Sequence, residues 1–205
     1  MPYSPAHKPM TRTRIVQAAR RLFNIRGFAA VSIDEIMAEA GLTRGGFYKH
    51  FSRKQDLYRE AVLEFICLEV PEPWQRHVDP RQSGPALVRM ILEAYLSDEH
   101  LEDQAASCPM IALPSDVQRG EPEVKGAFRE VLEMMAGAFA ANLPPDGRPA
   151  RERALALVSL AVGAMVLARS VDDPGLAAEL RHSARAEASR STGWDLEPAQ
   201  AAAAQ

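Results

Sequence analysis

Between residues 11 and 188 apolar positions recur three and four apart, with no sustained alternation, which is the period of helices lying on a core. The chain is therefore predicted to be all-α. Ile15, Ala18, Ala19, Leu22 and Phe23 form one stripe of a first helix that should end at Gly27, a residue suited to the left-handed position after a helix. Ser32-Ile33-Asp34-Glu35 has the form of a capping box and opens a short second helix, with Ile33, Ile36, Met37 and Ala40 inward and Gly41 as its stop. Leu42 and Thr43 lead into a third short helix over 44–51, with Thr43 as N-cap and Phe47 and Phe51 on the core side. Ser52-Arg53-Lys54-Gln55 reads as a second capping box, opening a longer helix with Leu57, Ala61, Phe65 and Leu68 inward until Pro71 and Pro73 break it.

In the rear half Pro85, Pro109, Pro122, Pro149 and Pro174 each fall at or just before a periodic segment, where the missing N–H costs nothing, and they divide it into about five helices. Residues 1–10 and 189–205 lack periodicity and are predicted to be a disordered arm and tail. Residues 154–168 are apolar all round between Arg153 and Arg169, fifteen positions against the ~20 that span a bilayer, so a buried helix is expected and no membrane contact. The first residues carry no apolar signal segment, and the expected compartment is the cytoplasm.

Charge sharpens the picture. Residues 1–60 hold eleven Lys/Arg against five Asp/Glu, whereas the chain as a whole carries −3, so a basic front sits on an acidic body. Within 43–54 there are Arg44, Lys49, Arg53 and Lys54 and no acidic residue at all. A solvated helix face usually mixes signs; a single sign at the second of two short helices joined by a Gly-containing turn points to a helix-turn-helix on duplex DNA. Arg44 and Lys49 are the candidates for base edges, since both donate to guanine N7 and O6. Thr43, Tyr48 and Lys54 are candidates for phosphate oxygens; His50 either meets a phosphate or covers the helix end, and Ser32 is an N-cap first and a phosphate donor second. Gly45 and Gly46 either admit the DNA backbone closely or merely loosen the turn.

These residues carry a resemblance. The stretch 11–65, and above all Gly41-Leu42-Thr43-Arg44-Gly45-Gly46-Phe47-Tyr48-Lys49-His50-Phe51 with Lys54 beyond it, resembles the TetR family of regulators. The resemblance implies an all-helical homodimer with a three-helix DNA-binding domain, placed here at 11–57, and a helical regulatory and dimerisation domain at 58–188. It also implies a palindromic operator, repression as the default, and release when a small molecule enters the second domain. Members often carry Thr or Ala where this chain has Gly46, which removes a phosphate contact there. The family's pocket would fall near Phe65, Met90, Phe128, Leu132, Met135 and Phe139, a stripe that also reads as ordinary core.

A helix apolar on every side must be covered on every side, either by a partner copy or by its own domain. The first reading puts Leu157, Ala161, Ala164 and Met165 in a dimer interface, joined by Leu176 and Leu180 of the next helix. Ser107-Cys108-Pro109-Met110 places a thiol at a helix start, so a thiol-based, electrophile-sensing repressor is an alternative to a ligand-responsive one; a buried Cys108 acting as a small hydrophobe is the plain reading. Residues 108–117 are similar to a segment of an electrophile-sensing branch of the family. No enzyme is expected: Gly-x-Ser-x-Gly and Gly-Lys-Ser/Thr loops are absent, and His7, His50, His77, His100 and His182 are scattered too widely for a metal site. No cofactor follows from this sequence, and two cysteines, Cys67 and Cys108, make no disulfide framework. The rival from another class is a helical protein-interaction module without DNA specificity, which leaves the basic segment unexplained.

Overall fold

A computed structural model describes residues 7–67, 79 and 81–192; Leu68, Pro71, Pro73 and His77 lie outside that range, as do residues 1–6 of the predicted arm and 193–205 of the predicted tail. The described residues form helices and no strand. In chain order these are α1 (His7–Ala30), α2 (Ile33–Glu39), a 3₁₀ helix (Arg44–Lys49), α3 (Lys54–Cys67), α4 (Pro85–Tyr95), α5 (Asp98–Glu102), α6 (Pro109–Ala112), α7 (Pro114–Arg119), α8 (Pro122–Asn142), α9 (Ala150–Ser170) and α10 (Pro174–Thr192). Pro85, Pro109, Pro114, Pro122 and Pro174 each open a helix, and Pro149 caps one. Helix thus begins at His7 and lasts to Thr192, inside the segments expected to be irregular.

The chain folds into two compact units that are not contiguous in sequence: Met1–Glu69 with Gln104–Leu132, and Val70–Asp103 with Glu133–Gln205. A boundary at 57/58 therefore cuts through α3, and residues 104–132 go with the front of the chain.

In the first unit α1 packs along α3 and against α2, burying Ile15, Ala18, Ala19, Phe23, Ile36, Met37, Leu57, Tyr58 and Val62. Gly27 interrupts α1, but with φ 76 and ψ 166 it is not in the left-handed helical well, and it kinks the helix, which resumes for one turn to Ala30, rather than ending it. A Cβ there would lie 2.8 Å from the Asp116 carboxylate, and the same carboxylate accepts the Phe28 N–H at 2.8 Å. Two further α1 side chains reach the segment before α6. Asn24 donates to the carbonyls of Ala105 (3.1 Å) and Ser107 (2.9 Å), and Arg20 donates to Ala106 (2.9 Å). Four bonds thus account for why a segment some eighty residues away in sequence completes this unit.

In the second unit α9 and α10 make the most extensive helix pair. Arginines from these helices satisfy the carbonyls around α5. Arg181, 4% exposed, donates to Leu96 (3.1 Å), Ala177 (3.3 Å) and the Asp98 carboxylate (2.5 Å), and Arg185 also donates to Leu96. Arg169 donates to the carbonyls of His100, Leu101 and Asp103. A guanidinium offers five donors in a planar fork, which lets one side chain serve several orphan carbonyls at a helix end. His100 is buried, its Nδ1 donating to the Tyr95 carbonyl at 2.7 Å, and burial pulls its pKa down to about 4.

The apolar helix α9 corrects an expectation. Leu157, Ala161, Ala164 and Met165 are all buried by the chain itself, at 4%, 1%, 8% and 0% exposure, so they offer no surface to a partner. The face left accessible runs through Ala156, Leu160, Gly163 and Leu167, with Leu176 and Leu180 of α10 exposed or half-exposed. Sequence periodicity has nothing to say about which side is which when all sides are apolar. The 21 residues of α9 are long and apolar enough to cross a membrane by length and composition, yet its first turn holds Arg151, Glu152 and a buried Arg153 that donates to the Pro144 carbonyl.

Candidate DNA-binding site

The turn between α2 and the 3₁₀ helix is built from local chemistry. The Ser32 hydroxyl accepts the Glu35 N–H (3.2 Å) while the Glu35 carboxylate accepts the Ser32 N–H (2.8 Å), the full capping box. These bonds, with Arg26 beside them, hold Glu35 down to a pKa of about 2. Gly41 takes φ 67, the left-handed region that favours glycine, and Arg14, whose guanidinium donates to the Ala40 carbonyl at 2.5 Å, would lie 3.0 Å from a Cβ there.

The segment expected as an α-helix over 44–51 is instead a 3₁₀ helix of six residues, Arg44–Lys49, and Thr43 precedes it without a side-chain cap bond. Its winding explains the glycine pair. In a 3₁₀ helix residues i and i+3 eclipse, so Tyr48 lies in register with Gly45, which faces open space, and Lys49 with Gly46, where a Cβ would stand 3.3 Å from Met37 Cε and so crowd α2. Neither glycine needs a positive φ, and nothing of the chain lies within 4 Å of a Cβ built at Gly45. Phe47 and Phe51 anchor the element from behind, buried at 0% and 3% with ring centroids 5.7 Å apart; truncating either to Ala should cost about 3–5 kcal/mol. Arg12 locks its far end, donating to the His50 carbonyl and the Glu60 carboxylate and stacking 4.1 Å from the Phe51 ring centroid.

Outward, Thr43, Arg44, Gly45, Tyr48 and Lys49 are exposed on one side of this anchor, with Tyr48 at 60%. Among the described residues Lys49 has no ion-pair partner, whereas Arg44 donates Nη1 to Asp34 at 2.8 Å. Three expectations change. Lys54 is turned inward: its Nζ donates to the Phe28 carbonyl and sits 4.2 Å from the Phe28 ring centroid, and burial lowers its pKa, so it braces α1 rather than meeting solvent. His50 is half-buried at the end of the element, and burial together with Arg12, Lys8 and Lys49 lowers its pKa, which favours its reading as a helix-end cover over a cationic phosphate contact. Arg53 is paired with Asp56 (2.9 Å) and Glu121 (3.1 Å), and Asp56, not Gln55, closes the cap of α3 by accepting the Arg53 N–H. The residues missed by sequence reasoning are Arg12, Arg14 and Asp34, whose partners lie 48, 26 and 10 positions away, beyond any helical spacing.

Among the other candidates, Cys108 is completely buried and sits before a helix of four residues that Pro114 prevents from continuing. The thiol packs as a small hydrophobe, and the sensor reading is withdrawn. Phe65 is buried and Phe128 and Leu132 half-buried in the first unit; Met135 is buried and Met90 half-buried in the second.

An anchored, solvent-facing basic element after a glycine-stopped helix makes the front of this chain a helix-turn-helix DNA-binding domain, on an all-helical scaffold. Residues 15–61 match the family model described as "Bacterial regulatory proteins, tetR family". That match covers about a quarter of the chain, and over it the front of the chain is similar to these transcriptional regulators. The chain is 24% identical over 141 residues to the HTH-type transcriptional regulator LmrA of Bacillus subtilis, covering 67% of this chain and 73% of LmrA. Other curated relatives align over only 50 to 59 residues, and the match spans between 20% and 29% of their own length. The fold is shared with E. coli NemR in its reduced form (TM-score 0.70, 17% identity, 93% of this chain and 99% of that one) and with SmeT in complex with triclosan (TM-score 0.62, 20% identity, 90% of each).

Proposed function

We propose that the protein is a dimeric, effector-responsive repressor that acts in the cytoplasm on a palindromic operator, with the 3₁₀ helix Arg44–Lys49 entering the major groove. The observation that carries this reading is the two-sidedness of that element: Phe47 and Phe51 fixed in the core, Arg44, Tyr48 and Lys49 presented together to solvent. Lys49 and Arg44 read base edges, while Thr43 and Tyr48 position the element on phosphates. A second copy covers the accessible face of α9 and α10 through Ala156, Leu160, Gly163, Leu167, Leu176 and Leu180, where small residues let helices approach closely. An apolar small molecule is the effector, a reading supported by the triclosan complex of SmeT. Met90 and Met135 are the first residues to vary in seeking it.

The test is selection of bound sequences from a random duplex pool, followed by titration of the selected duplex. Lys49→Ala and Tyr48→Ala should each lose at least tenfold in affinity while remaining folded dimers, and wild-type affinity should fall steeply with salt. Wild-type-like binding by both variants, or a pool from which nothing is enriched, overturns the assignment.

A further inference from the structure

The surface that carries the readers holds one acidic side chain in direct contact with a reader. Asp34, on α2, accepts Nη1 of Arg44, the first residue of the 3₁₀ helix, at 2.8 Å, and both side chains are well exposed, at 55% and 66%. The pair adds little to stability, since exposed ion pairs with this much solvent around them contribute little. Its geometry is the informative part. In a guanidinium Nη1 lies on the side of the stem, and Nε–H and Nη2–H run parallel along the opposite edge. Among the described residues Arg44 makes no hydrogen bond through Nε or Nη2. The edge left open is the fork that matches guanine N7 and O6. Beside it, Gly45 adds no side chain, and nothing of the chain stands within 4 Å of where one would be.

We infer that Asp34 is a positioning residue for base recognition: it holds Arg44 by Nη1 so that the Nε–Nη2 edge faces a guanine in each operator half-site. The inference rests on the DNA-binding reading above. A long cation left to itself settles on the nearest phosphate; one carrying a carboxylate with it is repelled from the backbone and directed to the bases. Because the pair is neutral as a unit, it adds specificity without adding to the salt dependence that Lys49 supplies. Pre-orientation also spares the ordering of a flexible side chain on binding.

Selection from a random duplex pool by the full-length protein, with Asp34→Ala, Asp34→Asn, Arg44→Ala and Lys49→Ala in parallel, tests this. The wild-type motif should contain a guanine whose preference falls about 5- to 100-fold in Arg44→Ala and at least about fivefold in Asp34→Ala. Affinity of Asp34→Ala for unrelated duplex should hold or rise, since a negative charge has left the surface; a folding defect lowers both together. Asp34→Asn keeps an acceptor oxygen and should keep most of the preference. A motif unchanged in Asp34→Ala but flattened in Arg44→Ala overturns the role of Asp34 and leaves DNA binding intact. A uniform loss for all duplexes in Arg44→Ala, with a shallower salt slope, makes Arg44 a phosphate contact and overturns it as well. No enrichment by wild-type protein removes the DNA-binding reading and this inference with it, and Lys49→Ala separates that case by losing binding when enrichment does occur.

Discussion

Each unit turns some arginines onto backbone carbonyls, Arg12, Arg14 and Arg20 in the first, and keeps others at its surface, Arg148, Arg151 and Arg190 in the second, and the two kinds do different work. In the second unit Arg153, Arg169, Arg181 and Arg185 turn toward the protein and spend their donors on backbone carbonyls around α5 and the α8–α9 loop. In the first, Arg21, Arg26, Arg44 and Arg53 stay at the surface and pair with Glu39, Glu35, Asp34 and Asp56. A formal charge count treats these eight alike. The difference teaches that a charge count overstates what either surface presents, because the inward cations of both units spend their donors on carbonyls, Arg12, Arg14, Arg20 and Lys54 in the first as much as Arg153, Arg169, Arg181 and Arg185 in the second. Lys49 is the exposed cation of the recognition element that no carboxylate neutralises.

If the buried arginines are framework, removing one must be costly. Arg181→Ala removes a buried side chain and its bonds to Leu96, Ala177 and Asp98, leaving Leu96 with Arg185, and should lower unfolding free energy by about 2–3 kcal/mol in urea titration; a loss below about 1 kcal/mol would make this arginine dispensable and erase the contrast. His100 belongs to the same framework. Its folded pKa of about 4 lies below the unfolded value of about 6.5, so its contribution is present above pH 6.5 and is lost as pH falls toward 4. Stability should drop by about 3 kcal/mol across that window, and a His100→Gln variant, though weaker throughout, should show a flatter pH profile. In the first unit the local cap outweighs the surface cations: Ser32→Ala should cost about 1 kcal/mol. The smallest effect is expected from Arg44→Ala, within about 0.5 kcal/mol by thermal melting, because its ion pair is exposed; a larger loss would make it framework after all.

What the sequence made legible was whatever is decided within four residues. The Ser32 cap, the stop at Gly41, the inward Phe47 and Phe51 and the proline-opened helices are all local, and the structure bears them out, while Gly27 kinks α1 instead of ending it. The 3₁₀ winding was not legible, because a glycine pair lowers helix propensity without saying which alternative results. Lys54 was read as a phosphate contact from its position in a basic run, but a carbonyl 26 residues earlier and an aromatic ring claim it. Leu157, Ala161, Ala164 and Met165 were placed outward and lie inward, since α9 has no polar stripe to orient it. Cys108 was ambiguous for a related reason: its burial depends on packing that brings residues 105–116 onto α1.

That last packing has a practical meaning for anyone building hybrid regulators. Asn24, Arg20 and the Phe28 amide take their partners from residues 105–107 and Asp116, so the exchangeable module is a discontinuous one, Met1–Glu69 together with Gln104–Leu132. A chimera joined once, just after α3, carries α1 without the partners of Arg20, Asn24 and Phe28, whereas one that carries both pieces keeps them.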